Sequence, residues 1–135
     1  MDKGEFVFFV GHSGAGKSTI LRLLLREILP TSGTIKVDDL ELTKLTKHQI
    51  PHLRRSMGVV FQDFKILFDR KVGENVSIAL EITGKKEVDT QKKVQEVLHL
   101  VGLSDKIDLF PAQLSAGEMQ RTAIARAIVG GPKLV

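Results

Sequence analysis

Residues Gly11 to Thr19 read GHSGAGKST, the spacing of Gly, four residues and Gly-Lys-Ser that a phosphate-binding loop requires. The flanks are as informative as the match. Glu5 to Val10 (EFVFFV) is a short apolar run suited to a buried parallel strand. Ile20 to Ile28 brings Leu21, Leu24, Leu25 and Ile28 onto one face at helical spacing. Strand, glycine-rich turn and helix together make backbone N–H groups and a helix N-terminus converge on an anion. Gly11, Gly14 and Gly16 are expected to take positive φ and to let the backbone approach phosphates without a Cβ in the way. Lys17 would place an ammonium between β- and γ-phosphates, and the Ser18 hydroxyl is suited to Mg²⁺. A turn that merely happened to contain a lysine would need neither flanking element, so the stretch reads as a nucleoside-triphosphate site in an α/β domain.

The rest of the composition is compatible with that reading and excludes others. At 135 residues the chain is one domain at most, and 42% hydrophobic residues suffice for a core. It has no cysteine, hence no disulfide or thiolate metal site. No apolar run approaches the roughly twenty residues of a membrane span, and no secretory leader is expected before the first strand. The net charge of +4 is modest. Its concentrations, Lys44 to Arg55 and Lys85 to Lys93, are not interleaved with aromatics. They read as solvated faces, and no nucleic-acid partner is expected.

Further along, Thr34 to Val37 is expected as a short strand ahead of an Asp38-Asp39 corner, and Gly58 to Phe61 as a second buried strand ending at Gln62. Pro51 limits any helix in Lys47 to Arg55 to a short one. Glu74 to Ile82 is expected to be helical and closed by Gly84. Glu87 to Val101 is a clearer amphipathic helix, with Val94, Val97, Leu98 and Val101 on one face. Leu114 to Arg121 (LSAGEMQR) leads into a helix bearing Ile124, Ala125 and Ile128, and Gly130-Gly131-Pro132 stops it. Lys133 to Val135 resembles the start of another strand.

A phosphate loop, a strand ending in Gln62 and an LSxGE-type segment opening a helix, in that order, resemble the nucleotide-binding domain of the ABC transporters. The stretch IPHLRRSMGVVFQDFKIL, Ile50 to Leu67, with Asp63-Phe64 after the glutamine, is similar to the cell-division (FtsE) branch of that family. The lipoprotein-release and macrolide-export ATPases share most of the framework. The resemblance runs from Gly4 to Val135 and implies a P-loop NTPase fold with a helical signature subdomain, and an ATPase using ATP and Mg²⁺. On that resemblance Gly11, Ser13, Gly14, Ala15, Gly16, Lys17, Ser18 and Thr19 would hold the phosphates. Lys17 and Gln62 would be catalytic, and Ser18 and Gln62 would serve the metal. Ser115 and Gly117 would cap the γ-phosphate held by the loop of a second copy, making ATP the glue of a head-to-tail homodimer. The implied partner is a polytopic, FtsX-like permease that governs cell-wall hydrolases. The implied location is peripheral, on the cytoplasmic face of the bacterial inner membrane.

The departures from the family pattern set further expectations. Ala116 stands where the family more often has glycine. The acidic strand-end motif and the switch histidine are expected beyond Val135, since His12, His48, His52 and His99 all lie upstream and read as surface residues. The adenine-stacking aromatic is expected ahead of Met1, and Phe6, Phe8 and Phe9 are assigned to strand core. Residues 1–135 therefore read as a partial ATP-binding domain, cut at both ends, that keeps phosphate binding but not hydrolysis. Phe61, alternating with Val59, is assigned to the core, and Phe64 and Phe68 to a surface facing the membrane partner. Two other functions stay open: an ATP-dependent interaction module that hydrolyses slowly or not at all, and an unrelated small-molecule kinase. The kinase would need a phosphoryl-acceptor site and would make the Gln62–LSAGE order a coincidence.

Overall fold

The computed structural model describes residues 4–82 and 87–135. They group into two compact units, the first ending at Leu53 and the second starting at Arg54.

In the first unit helix α1 spans Lys17–Leu24, so it begins at the lysine itself, three residues before the expected start. Leu25 is buried, and Leu21, Leu24 and Ile28 are half-buried on the expected face. Arg26, at φ 55°, turns the chain out of the helix, and its Nε–H donates to Leu42 O at 2.7 Å. Strand β1, Lys36–Val37, pairs antiparallel with β2, Leu40–Glu41. The Asp38-Asp39 corner is the turn of this small hairpin, with Asp38 at φ 50°, a conformation that a short polar side chain tolerates.

The EFVFFV run is a correction. It forms no ladder among the described residues, and Phe6, Phe8, Phe9 and Val10 are exposed rather than core. A strand is stable only when neighbouring strands take up its N–H and C=O groups, and none lies alongside here. The Gly58–Phe61 strand shrinks for the same reason. What forms is a single parallel bridge between Met57 and Leu134, with Gly58 N–H donating to Leu134 O at 2.7 Å. The expected start of a strand at Lys133 to Val135 is that partner. Gly58 is pressed so close to the helix behind it that a Cβ there would sit 2.4 Å from Ala127 O.

Helix α2, Ile50–Arg55, starts one residue before Pro51, where a missing N–H costs nothing. Three longer helices build the core of the second unit: α3, Val72–Glu81; α4, Glu87–Leu100; and α5, Ala116–Ile128. Val72, Val76 and Leu80 recur every four residues along α3 and meet Val94 and Leu98 of α4, Ala125 of α5, and Leu103 and Val129. Each end of α4 and α5 falls within a residue or two of its expected place. Gly84, expected to close α3, lies outside the described residues. No helix among the described residues is long and apolar enough to cross a membrane.

One polar residue organises the link into α3. Asn75 is completely buried. Its Oδ1 accepts from Leu67 N–H at 2.9 Å, and its Nδ2 donates to Leu67 O, Arg70 O and Lys71 O at 2.9, 3.0 and 3.1 Å. An amide offers an acceptor oxygen and two N–H donors on one short side chain, which this arrangement uses. Asn75→Leu keeps the volume but takes the amide away from the Leu67 N–H and the Arg70 carbonyl, and is expected to cost about 3 kcal/mol in urea unfolding. A loss below about 0.5 kcal/mol would mean the loop has other support.

Candidate nucleotide site

The phosphate loop has the geometry its sequence requires. Gly14 and Gly16 take φ of 83° and 89°, so the chain reverses through left-handed conformations that a β-carbon would strain by about 1–2 kcal/mol each. Gly11 serves differently from the expectation: it is not at positive φ, but a Cβ there would lie 2.9 Å from the Ala15 Cβ. Its requirement is space inside the loop. Ala15 N–H donates to His12 O at 3.2 Å. Lys17 Nζ curls back over the loop and donates to Gly11 O at 2.7 Å and His12 O at 2.9 Å. The ammonium is thus held above the loop on two neutral carbonyls, weak partners that an anion would replace.

The N-terminus of α1 has Gly16 at its cap, no side-chain cap and no acid in its first turn. Among the described residues, its leading N–H groups and the positive end of its dipole have neither a capping side chain nor a first-turn acid beside them. Ser13, Gly14, Ala15, Lys17, Ser18 and Thr19 are all exposed around it. This set fits a polyphosphate. The Ser18 hydroxyl in this loop is a hard, neutral donor, the kind a Mg²⁺ that keeps waters and phosphate oxygens accepts.

Gln62, in the second unit, is exposed at the second position of a tight turn that Phe64 N–H closes onto Phe61 O at 3.0 Å. Phe64 and Lys65, the next residues, are both left-handed, at φ 55° and 49°. Lys65 Nζ pairs with Asp63 Oδ2 at 2.6 Å, and that ammonium holds the Asp63 carboxyl below its usual range. Two assignments change here. Phe61 is 38% exposed rather than core, because the strand meant to bury it does not form. Phe64 is half-buried, and Phe68, at 62% exposed, is the open one.

The signature segment starts α5. Ser115 is its cap: Glu118 N–H donates to Ser115 Oγ at 3.3 Å, while Ser115 N–H and Oγ–H donate to Glu118 Oε2 at 2.8 and 2.7 Å. This reciprocal box satisfies both ends. The backbone and then the hydroxyl of Ser115 hold the Glu118 carboxyl below the usual carboxylate range. The end of α5 therefore already bears an anion, unlike that of α1, and the Ser115 hydroxyl must turn away from Glu118 to reach a phosphate. Gly117 is open, a Cβ there meeting only Arg121 Nη1 at 3.8 Å. All four histidines are exposed, as expected.

Comparison with known proteins decides the family. The ABC transporter family model matches residues 1–135. The chain belongs to the ABC transporter ATP-binding family. It is 50% identical over 132 residues to the cell division ATP-binding protein FtsE of Streptococcus pneumoniae, which covers 98% of the chain and 57% of that protein. FtsE of Bacillus subtilis matches at the same identity, over 58% of its length. The methionine import ATP-binding protein MetN of Vibrio vulnificus is 47% identical over 133 residues, 98% of the chain and 39% of MetN, a branch the sequence reading did not weigh. The chain thus spans little more than half of its FtsE relatives. In fold it is similar to the dimeric post-hydrolysis ATP-binding cassette MJ0796 bound to ADP and Pi, with a TM-score of 0.85 and 33% identity over 97% of this chain and 59% of that one. This is the P-loop ATPase fold of ABC cassettes.

The sequence reading missed Asn75 and Arg126. The Arg126 guanidinium, half-buried on α5, donates from Nη1 to Lys65 O at 2.8 Å and from Nη2 to Phe64 O at 2.6 Å. No local pattern announces a contact that spans sixty-one residues.

Proposed function

We propose that this chain is the nucleotide-binding portion of an ATPase subunit in an FtsEX-like cell-division complex, peripheral to the bacterial inner membrane. The observation that carries the ATPase reading is the phosphate loop: two left-handed glycines, an uncapped helix N-terminus and a lysine held on loop carbonyls. ATP's phosphates replace those carbonyls as partners of Lys17, and Ser18 with Gln62 serve the Mg²⁺. Gln62 positions the attacking water. Ser115 and Gly117 cap the γ-phosphate bound by a second copy, so nucleotide binding closes a head-to-tail dimer and hydrolysis opens it. An FtsX-like permease receives that stroke. The similarity to FtsE over almost the whole chain supports the cell-division assignment.

A second reading has its own support. MetN is nearly as similar, which favours an importer subunit on the same chemistry. Gene loss separates the two: filaments and septation defects are expected for the cell-division reading, with growth on scarce methionine unaffected. Normal septation with failure on low methionine would transfer the protein to the importer branch.

A further inference from the structure

The loop after Gln62 is held in a conformation it would not choose by itself. Two consecutive residues with side chains, Phe64 and Lys65, occupy the left-handed region, which is unfavourable for each of them and persists only when surroundings over-determine it. Beside the Phe64 N–H bond to Phe61 O and the Lys65–Asp63 ion pair, one side chain holds both carbonyls of the pair. Arg126, near the end of α5, presents two N–H groups of one rigid plane to the two carbonyls that this backbone turns toward the helix, at 2.6 and 2.8 Å. Lysine has the charge but only a point donor in place of a fork. The clamped pair follows directly on the turn that presents Gln62, and α5 begins at the signature cap Ser115.

We propose that Arg126 is a positioning residue for Gln62, its guanidinium fixing the left-handed Phe64-Lys65 pair and so tying the Gln62 turn to the signature helix. The inference rests on the role given to Gln62 above. Arg126 contacts the loop backbone through both of its Nη groups. It acts by restricting where the Gln62 amide can lie, so its loss misplaces a catalytic group while leaving the phosphate loop's affinity alone.

The test uses the full-length protein and reads both the loop and the chemistry. In Arg126→Lys, amide exchange over residues 62–66 is expected to accelerate, and kcat to fall about tenfold with KM for ATP within about twofold. The decisive variant adds Lys65→Gly. Glycine holds the left-handed conformation without help, so in the Arg126→Lys background it should recover at least about half of the lost kcat, whereas alone it should change kcat less than about twofold. Unchanged exchange in Arg126→Lys would overturn the clamp, and a rise in KM matching the fall in kcat, or no rescue by Lys65→Gly, would reduce Arg126 to a structural residue. Gln62→Ala, measured alongside, keeps the foundations separate: full turnover there with faster exchange in Arg126→Lys would remove the role of Gln62 and leave the clamp standing.

Discussion

Replacing Lys17 with alanine is expected to lower ATP turnover of the full-length protein by about a hundredfold or more, the usual cost of removing one charge-stabilising donor from a transferring phosphoryl group. The fold should not notice. The side chain's partners are the carbonyls of Gly11 and His12 in an exposed loop, and losing such contacts shifts stability by no more than about 0.5 kcal/mol. Melting without nucleotide should therefore be unchanged. The stabilisation by ATP, about 2.7 kcal/mol at a hundredfold excess over Kd, should shrink in the variant. Lys17→Arg should not rescue, since a fork-shaped guanidinium cannot occupy the position of a compact ammonium between two phosphates. Turnover within threefold of the wild type, measured by phosphate release, would refute the catalytic assignment of Lys17. A kinase reading would also predict loss with Lys17, but a kinase passes the phosphoryl group to an acceptor rather than to water, so the wild type would release little phosphate in this assay.

The phosphate loop was legible because its requirements are local. The left-handed Gly14 and Gly16 and a helix directly after the loop follow from nine consecutive residues, though the helix starts at Lys17 rather than Ile20 and Gly11 is not left-handed. Helix α4 and the start of α5 were legible for a related reason: apolar spacing and a Ser-x-x-Glu cap are properties of one segment. The strands were not. EFVFFV has the composition of a buried strand, but a strand is a relation between segments, and its aromatic side chains stand exposed. The hairpin of β1 and β2 went half-seen because two-residue strands carry no periodicity. Phe61 was misplaced as a direct consequence of the missing strand. Asn75 and Arg126 escaped because each answers to backbone groups that only the folded chain presents: an N–H and carbonyls of the loop ahead of α3, and two carbonyls turned toward α5 by left-handed residues. Family resemblance, in turn, named the chemistry better than the branch, since FtsE and MetN match the chain at 50% and 47% identity over nearly all of its length.

The proposed arrangement, in which one chain's loop and another's signature would enclose a nucleotide, makes a prediction that no single-chain enzyme shares. Gly117→Glu is suited to test it. A side chain at 117 enters open space, with only Arg121 Nη1 near its Cβ. An acid in the first turn of α5 favours the helix dipole, and leaving glycine improves helix propensity. The variant should fold at least as well as the wild type. Yet its carboxylate, beside that of Glu118, would repel a γ-phosphate presented by another copy, so turnover should fall about fiftyfold or more. Lys17→Ala is inactive for the opposite reason, a defective loop beside a sound signature. In a mixture of the two, random pairing makes half of the dimers mixed. Each mixed dimer has one site carrying both defects and one carrying neither, so about a quarter of wild-type turnover should reappear from two inactive parents. Placing both substitutions in one chain and mixing it with an equal amount of wild type offers the converse. Mixed dimers then hold no intact site, and turnover should fall to about a quarter rather than a half. A single-variant mixture as inactive as its parents, with the double variant leaving half of the wild-type rate, would put Gly117 and Lys17 on the same nucleotide within one chain and end the head-to-tail reading.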